Sequence, residues 1–173
     1  YPGTCRRDPG HSWSDTPRPK LESLRLNMGL AITALEKLYP GAGLSAMGYE
    51  ETGRDAQRLH ISRSELLDAV GDVVLARRGM GTSYHLSVVV DDGAQGITQV
   101  GRGEDLREAT KIHVVLQALL GLPTPTYHHH RLIRDDTGKR LAKRDDARAI
   151  ATYRAEGATP GDIRAMVGLP LQR

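Results

Sequence analysis

Apolar residues recur at helical spacing in two places. Leu21, Leu24, Met28, Ala31, Ile32 and Leu35 fall three or four apart, which predicts a helix over 21–38, weakened by Asn27, Gly29 and the alternation of Leu24 with Leu26. Leu106, Ala109, Ile112, Val115, Leu116 and Leu119 repeat the pattern over Asp105 to Leu120, with Gly121 where a left-handed C-terminal cap belongs and Pro123 and Pro125 closing the segment. Strand-like runs flank this second helix. Asp72 to Arg78 is β-branched and closed by Gly79, Gly96 to Val100 is closed by Gly101, and Tyr127 to Ile133 follows the helix. Strand, helix and strand in that order predict a βαβ unit and an open α/β sheet.

The remaining segments are punctuated rather than periodic. Tyr1 to Lys20, rich in Pro, Gly, Arg, Ser and Asp, reads as irregular loop. Tyr39 to Thr52 reads as a turn-dense connector, and Ser64-Glu65-Leu66-Leu67 as a helix start, so the first third has the character of an insertion. Asp135-Asp136-Thr137-Gly138 predicts a turn. Two helical pieces follow, roughly Asp145 to Glu156 and Thr159 to Val167, the second opened by a Thr cap and Pro160 at its first position.

Composition narrows the setting. No apolar run approaches the ~20 residues of a membrane span, the longest stretches being Leu86 to Val90 and Ile112 to Leu122. Cys5 is the single cysteine, which excludes an internal disulfide and points to a reducing, cytoplasmic compartment. The net charge of +3 permits an anionic partner without demanding one. Tyr1 stands where a methionine would open a gene product, and no signal-peptide pattern follows, so the chain is expected to begin inside a longer protein.

Four features carry candidate chemistry. Lys139-Arg140-Leu141-Ala142-Lys143-Arg144 gathers four cations after a strand and a Gly turn, where a loop can reach phosphate oxygens; by itself the run also suits a solvated surface loop. Gly101-Arg102-Gly103 begins like a dinucleotide fingerprint, but Leu106 replaces the third glycine, which leaves Arg102 as a carboxylate fork. His128, His129 and His130 are adjacent, and neighbours on a strand face opposite ways, so the three cannot ligate one ion together. Tyr1 and Cys5 stand at a Y-x-x-x-C spacing, at most half of a four-ligand shell.

Read in order, Asp72 to Arg78, Thr82-Ser83-Tyr84-His85-Leu86, Val88-Val89-Val90-Asp91-Asp92, Gln95-Gly96-Ile97-Thr98 and Arg102-Gly103-Glu104-Asp105-Leu106 resemble consecutive blocks of the glutamate-specific class I synthetases. Leu116 to Pro123, Tyr127 to Ile133 and Gly157-Ala158-Thr159-Pro160 narrow the resemblance to the glutamyl-Q tRNA(Asp) synthetases. The likeness is close over 72–169 and local over 1–6.

The resemblance implies the second half of a Rossmann-like class I synthetase catalytic domain. Residues 1–71 would form an insertion with a partial zinc site, 72–138 the catalytic half-domain, and 139–173 the ATP loop and the start of a helical region. It turns Ser83 to Asp92, strand-like in its β-branched content, into a helix. It places Tyr84 and Arg102 against glutamate and makes Tyr1 and Cys5 two of four Zn2+ ligands. Arg140, Leu141, Ala142, Lys143 and Arg144 correspond to the family's K-M-S-K-S loop, with Lys143 beside the phosphates of ATP, which is used with Mg2+.

The implied reaction is attack of a glutamate carboxylate on the α-phosphate of ATP, giving glutamyl-adenylate and pyrophosphate, then transfer to the queuosine base of tRNA(Asp) by a monomer that does not engage a membrane. Ala142, Arg140, Gly79, Gln99 and Gly101 depart from the family pattern, and no H-I-G-H-like element occurs, so the chain alone is not expected to catalyse adenylation. An ordinary glutamyl-tRNA synthetase fragment and a non-catalytic RNA-binding remnant are the competing readings.

Overall fold

The protein is described by a computed structural model over residues 22–135, 137–141 and 149–170. Those residues divide into two compact units, one running to His130 and one from Arg131 onward.

In the first unit the predicted opening helix is two elements. Strand β1, Leu24–Leu26, comes first, and helix α1, Met28–Leu38, begins only after Asn27. The Asn27 side chain accepts from the Leu30 N–H, so this residue starts the helix as an N-cap instead of weakening its middle. Asp72 gives a second cap by accepting from the Met28 N–H at 3.0 Å. β1 pairs antiparallel with β4, Val73–Ala76, the predicted run at Asp72 to Arg78.

The turn-dense region hides two strands. β2, Gly48–Glu51, and β3, Gln57–His60, form an antiparallel hairpin. After it, Glu65–Val70 is a turn of π-helix whose true cap is Ser62: the Ser62 N–H and hydroxyl donate to the Glu65 carboxylate, and Glu65 N–H returns a bond to the Ser62 hydroxyl.

Helix α2, Tyr84–Gln95, occupies the segment that β-branched content alone would make a strand. Ser83 caps its start, and Gly96 ends it in the left-handed conformation, φ 66°, which also pushes the next strand downstream of the predicted start at Gly96. That strand is β5, Gln99–Gly103. Helix α3, Arg107–Leu120, ends at Gly121, φ 66°, as its sequence predicts, and β6, Thr126–His130, lies beside β5 in parallel. The βαβ unit is therefore present. The sheet order is β3-β2-β6-β5, and β2 runs parallel to β6, so residues from the segment read as an insertion form a central strand beside the βαβ unit.

The core lies between this sheet and the helices. Met28, Ile32 and Leu35 of α1 meet Val114 and Val115 of α3, Leu66, and the rings of Tyr49 and Tyr127. Each fully buried aliphatic side chain contributes roughly 2 kcal/mol. From His113 to Gln117 α3 is buried on every side, so the apolar stripe read from sequence does not mark its full packed surface.

The hairpin needs close backbone approach, because a Cβ at Gly48 would collide with the Leu59 carbonyl oxygen. Gly48→Ala is expected to cost about 1–3 kcal/mol through forced backbone shifts, read as a lower urea midpoint with an unchanged slope. An unchanged midpoint would contradict the close approach.

In the second unit, Asp135 makes the predicted turn by accepting from the Thr137 N–H and hydroxyl and the Lys139 N–H. Arg134 and Arg140 form an antiparallel bridge. Helices α4, Ile150–Ala155, and α5, Pro160–Met166, follow, with Thr159 and Asp162 in a reciprocal capping box. The start of the predicted helix at Asp145 lies outside the described residues. Among the described residues no helix is long and apolar enough to cross a membrane.

Candidate active site: a buried arginine held by histidines

Arg102 is the centre of a polar cluster inside the first unit. It sits in β5, 8% exposed, with its guanidinium 5.0 Å above the Tyr127 ring. Nε donates to His129 Nε2 at 3.4 Å, Nη1 donates to His113 Nδ1 at 3.1 Å, and Nη2 donates to the Thr110 hydroxyl. The strand alternation expected of the histidine run is observed, with Tyr127 and His129 buried and His128 and His130 exposed.

Arginine can only donate, so its partners' tautomers follow. His129 Nε2 faces Arg102 Nε and, at 3.0 Å, the Thr110 hydroxyl; accepting from Arg102 places the His129 proton on Nδ1, facing the Glu51 carboxylate. His113 accepts at Nδ1 and donates from Nε2 to His85 Nδ1, 3.0 Å away, so neutral His85 carries its proton on Nε2. The two histidines on Arg102 are thus fixed in opposite tautomers.

Burial, assisted by the charge of Arg102 and by His85, pushes the His113 imidazole down to about 3. Burial also lowers His85, with Arg102 and Arg77 adding to the effect. Burial alone would raise Glu51, but hydrogen bonds from the His129 ring, the His129 N–H and the Gly53 N–H outweigh it and hold the carboxyl below its usual range. The cluster sets the Glu51 carboxylate and the Arg102 guanidinium at opposite nitrogens of one imidazole.

A pH dependence of stability follows. Unfolded His113 takes up its proton near 6.5, the folded residue only near 3, so between those values the unfolded chain binds more protons and acidification destabilises the fold. One such group contributes at most about 1.4 kcal/mol per pH unit. Glu65, held down to about 2 first by the Ser62 N–H and then by the Ser62 hydroxyl and Lys111, acts only below its ordinary 4.5. Urea midpoints should therefore fall from pH 6.5 to 5, and His113→Asn, which can still accept from Arg102, should flatten the slope. A variant profile parallel to the parent's would refute this assignment.

Tyr84, at the start of α2 and 55% exposed, has its ring 6.1 Å from that of His113. Arg102 and Tyr84, named from sequence, thus meet at one residue that sequence reading passed over. Arg140 and Leu141 belong to the second unit, where the Leu141 N–H donates to Ile133 O at 3.0 Å. Tyr1, Cys5, Ala142, Lys143 and Arg144 lie outside the described residues. Among the described residues no group of three His, Cys, Asp or Glu side chains is placed to hold a metal ion.

Glu51, Thr110 and His113 were missed by sequence reasoning, and His129 was singled out there only as one of three adjacent histidines that cannot share a metal ion. Two signals bear on three of these four: the alternation that puts His129 on the face of Tyr127, and the spacing of Thr110 and His113, one turn apart on α3; none points to Glu51.

Comparison with known proteins adds a family to this geometry. The family model described as tRNA synthetases class I (E and Q), catalytic domain, matches residues 48–169. A glutamyl-Q tRNA(Asp) synthetase of Rhodobacter capsulatus is 59% identical over 170 residues, which is 98% of this chain and 56% of that protein. One from Verminephrobacter eiseniae is 36% identical, covering 90% of this chain and 46% of its own length. The chain spans about half the length of the curated relatives it matches. Among solved structures, a glutamate tRNA ligase from Elizabethkingia meningosepticum, in complex with its amino acid, aligns with a TM-score of 0.52 and 26% identity over 70% of this chain and 26% of that one.

Proposed function

Since the chain belongs to the catalytic-domain family of the class I tRNA synthetases for glutamate and glutamine, we propose that it forms part of a ligase that activates glutamate with ATP and transfers it to the queuosine base of tRNA(Asp). The observation that carries this reading is the buried Arg102, bonded to His113, whose ring lies 6.1 Å from that of Tyr84. A guanidinium has five N–H donors; three are taken by His129, His113 and Thr110, so two remain for a substrate carboxylate. Tyr84, whose ring lies 6.1 Å from that of His113, offers a phenolic donor.

In the activation step a glutamate α-carboxylate oxygen attacks the α-phosphorus of ATP. The bond to the bridging oxygen breaks and pyrophosphate leaves with its electron pair. Arg102 and Tyr84 bind and orient the amino acid, and Lys143 offsets charge growing on the phosphate oxygens. Arg140 and Arg144 add positive charge along the loop, with Leu141 and Ala142 between them. Mg2+ accompanies ATP as in phosphoryl chemistry generally. A zinc ion on Tyr1 and Cys5 rests on family resemblance alone, those residues lying outside the described chain, and no step runs through it. The lone cysteine of the sequence supports a reducing, cytoplasmic setting.

The test is pyrophosphate exchange into ATP by the protein that carries this sequence, with glutamate, glutamine and aspartate compared, followed by transfer to tRNA(Asp) with and without queuosine. Glutamate-dependent exchange with transfer only to the queuosine-bearing tRNA is expected. Transfer to a tRNA 3′ end would favour an ordinary glutamyl-tRNA synthetase. Tight tRNA binding without exchange would favour a non-catalytic RNA-binding remnant.

A further inference from the structure

We propose that Glu51 and His129 are a positioning pair that fixes the guanidinium of Arg102, so that its two remaining N–H groups face the substrate carboxylate in one orientation. This rests on the reading of Arg102 as a glutamate-binding residue.

Both oxygens of Glu51 are committed to this task. Oε1 accepts from the Gly53 N–H at 2.8 Å and from the His129 N–H at 3.1 Å, while Oε2 accepts from His129 Nδ1. The pair spans two adjacent strands, β2 and β6, which are in register at Glu51 and Tyr127. The His129 ring lies parallel to that of Tyr127, tilted by 10°, and Arg102 packs over the same Tyr127 ring, so the imidazole cannot swing away without losing the stack. Thr110 closes the arrangement by contacting both Arg102 Nη2 and His129 Nε2. A Cβ at Gly53 would lie 2.7 Å from Glu51 Oε1 and 2.8 Å from the His129 carbonyl oxygen, so the turn after β2 is pressed against the pair.

The chemistry explains why an imidazole stands between the two charges. A carboxylate directly on Arg102 would take N–H groups that the substrate needs and would neutralise the cation. A neutral imidazole takes one N–H through a single lone pair and passes the orientation set by Glu51 to the guanidinium. Position is fixed while charge is left for the ligand.

The decisive comparison is among Glu51→Gln, His129→Asn and His129→Gln in glutamate-dependent pyrophosphate exchange. Asparagine can keep the contact to Glu51 but does not reach Arg102; glutamine, one carbon longer, can offer its carbonyl oxygen where Nε2 stood. Glu51→Gln and His129→Asn should raise KM for glutamate at least tenfold with KM for ATP within twofold, and His129→Gln should recover much of that loss. A glutamate KM within twofold of the parent in the first two, or an equal rise for ATP, would overturn the proposal.

Ring 15N spectra of the unmutated protein decide the wiring without activity. His129 protonated on Nδ1 and His113 on Nε2 at neutral pH, with slow exchange of the Arg102 Nε proton, are expected. The opposite tautomer at either ring would overturn it. An unmutated protein that shows these tautomers but no glutamate-dependent exchange would uphold the wiring and reject the proposed function instead.

Discussion

Arg102→Ala is expected to raise KM for glutamate roughly 30- to 150-fold while leaving KM for ATP nearly unchanged. Two charge-assisted N–H contacts to a carboxylate, partly offset by desolvation, together give about 2–3 kcal/mol, and each 1.4 kcal/mol is tenfold. The same change leaves His129, His113 and Thr110 without their shared donor inside the protein, which adds a stability cost of about 3 kcal/mol or more. A thermal melt must therefore accompany the kinetics. Arg102→Lys should recover little, because an ammonium ion cannot reproduce a planar fork that already contacts three partners. Equal rises for glutamate and ATP in folded protein would remove Arg102 from the amino-acid site.

Lys143→Ala is expected to act on the other substrate. Loss of a cation that faces charge developing on phosphate should lower exchange by about 2 kcal/mol or more in transition-state terms, close to 30-fold in rate, with melting unchanged. On the proposed role the effect falls on kcat, because charge on the phosphate oxygens grows only as the bond to pyrophosphate breaks. Arg140 and Arg144 supply neighbouring positive charge, so the loss is not expected to be complete. Unchanged exchange would take the loop out of the mechanism and return it to a solvated surface run.

What could be read in advance depended on whether a residue's partners lay nearby in sequence. Helix α3, its stop at Gly121 and the parallel strands around it were legible, because periodicity and a capping glycine are local signals. Helix α2 was legible only through family resemblance; Val88, Val89 and Val90 argue for a strand, while Ser83 and Gly96, the residues that bound the helix, are weaker markers. Strand β2 was illegible. It buries Tyr49 and Glu51, and a buried carboxylate is stable there only because His129 and Gly53 donate to it. Hydropathy cannot anticipate such a site, since the partner that makes the burial tolerable is far away in the chain.

Resemblance supplied Tyr84 and the glutamate role of Arg102, which the residues alone already marked as a carboxylate fork, but not the residues behind them. Arg102 projects from β5, Thr110 and His113 from α3, His129 from β6 and Glu51 from β2, and no spacing rule joins four elements. Thr110, His113 and Gln117 look like polar breaks in an apolar helix until the sheet is laid against them.

The grip of Glu51 on His129 joins residues 78 positions apart. Closing so long a loop costs entropy before any contact repays it, so pairing of β2 with β6 belongs late in folding, after the local hairpin and the β5–α3–β6 unit have formed. During synthesis Glu51 emerges well before its partner strand and must wait for it. A nascent chain stalled short of β6 would therefore hold the residues of the hairpin but an unfinished carboxylate pocket, and the grip of Glu51 on His129 would be among the last features the protein acquires.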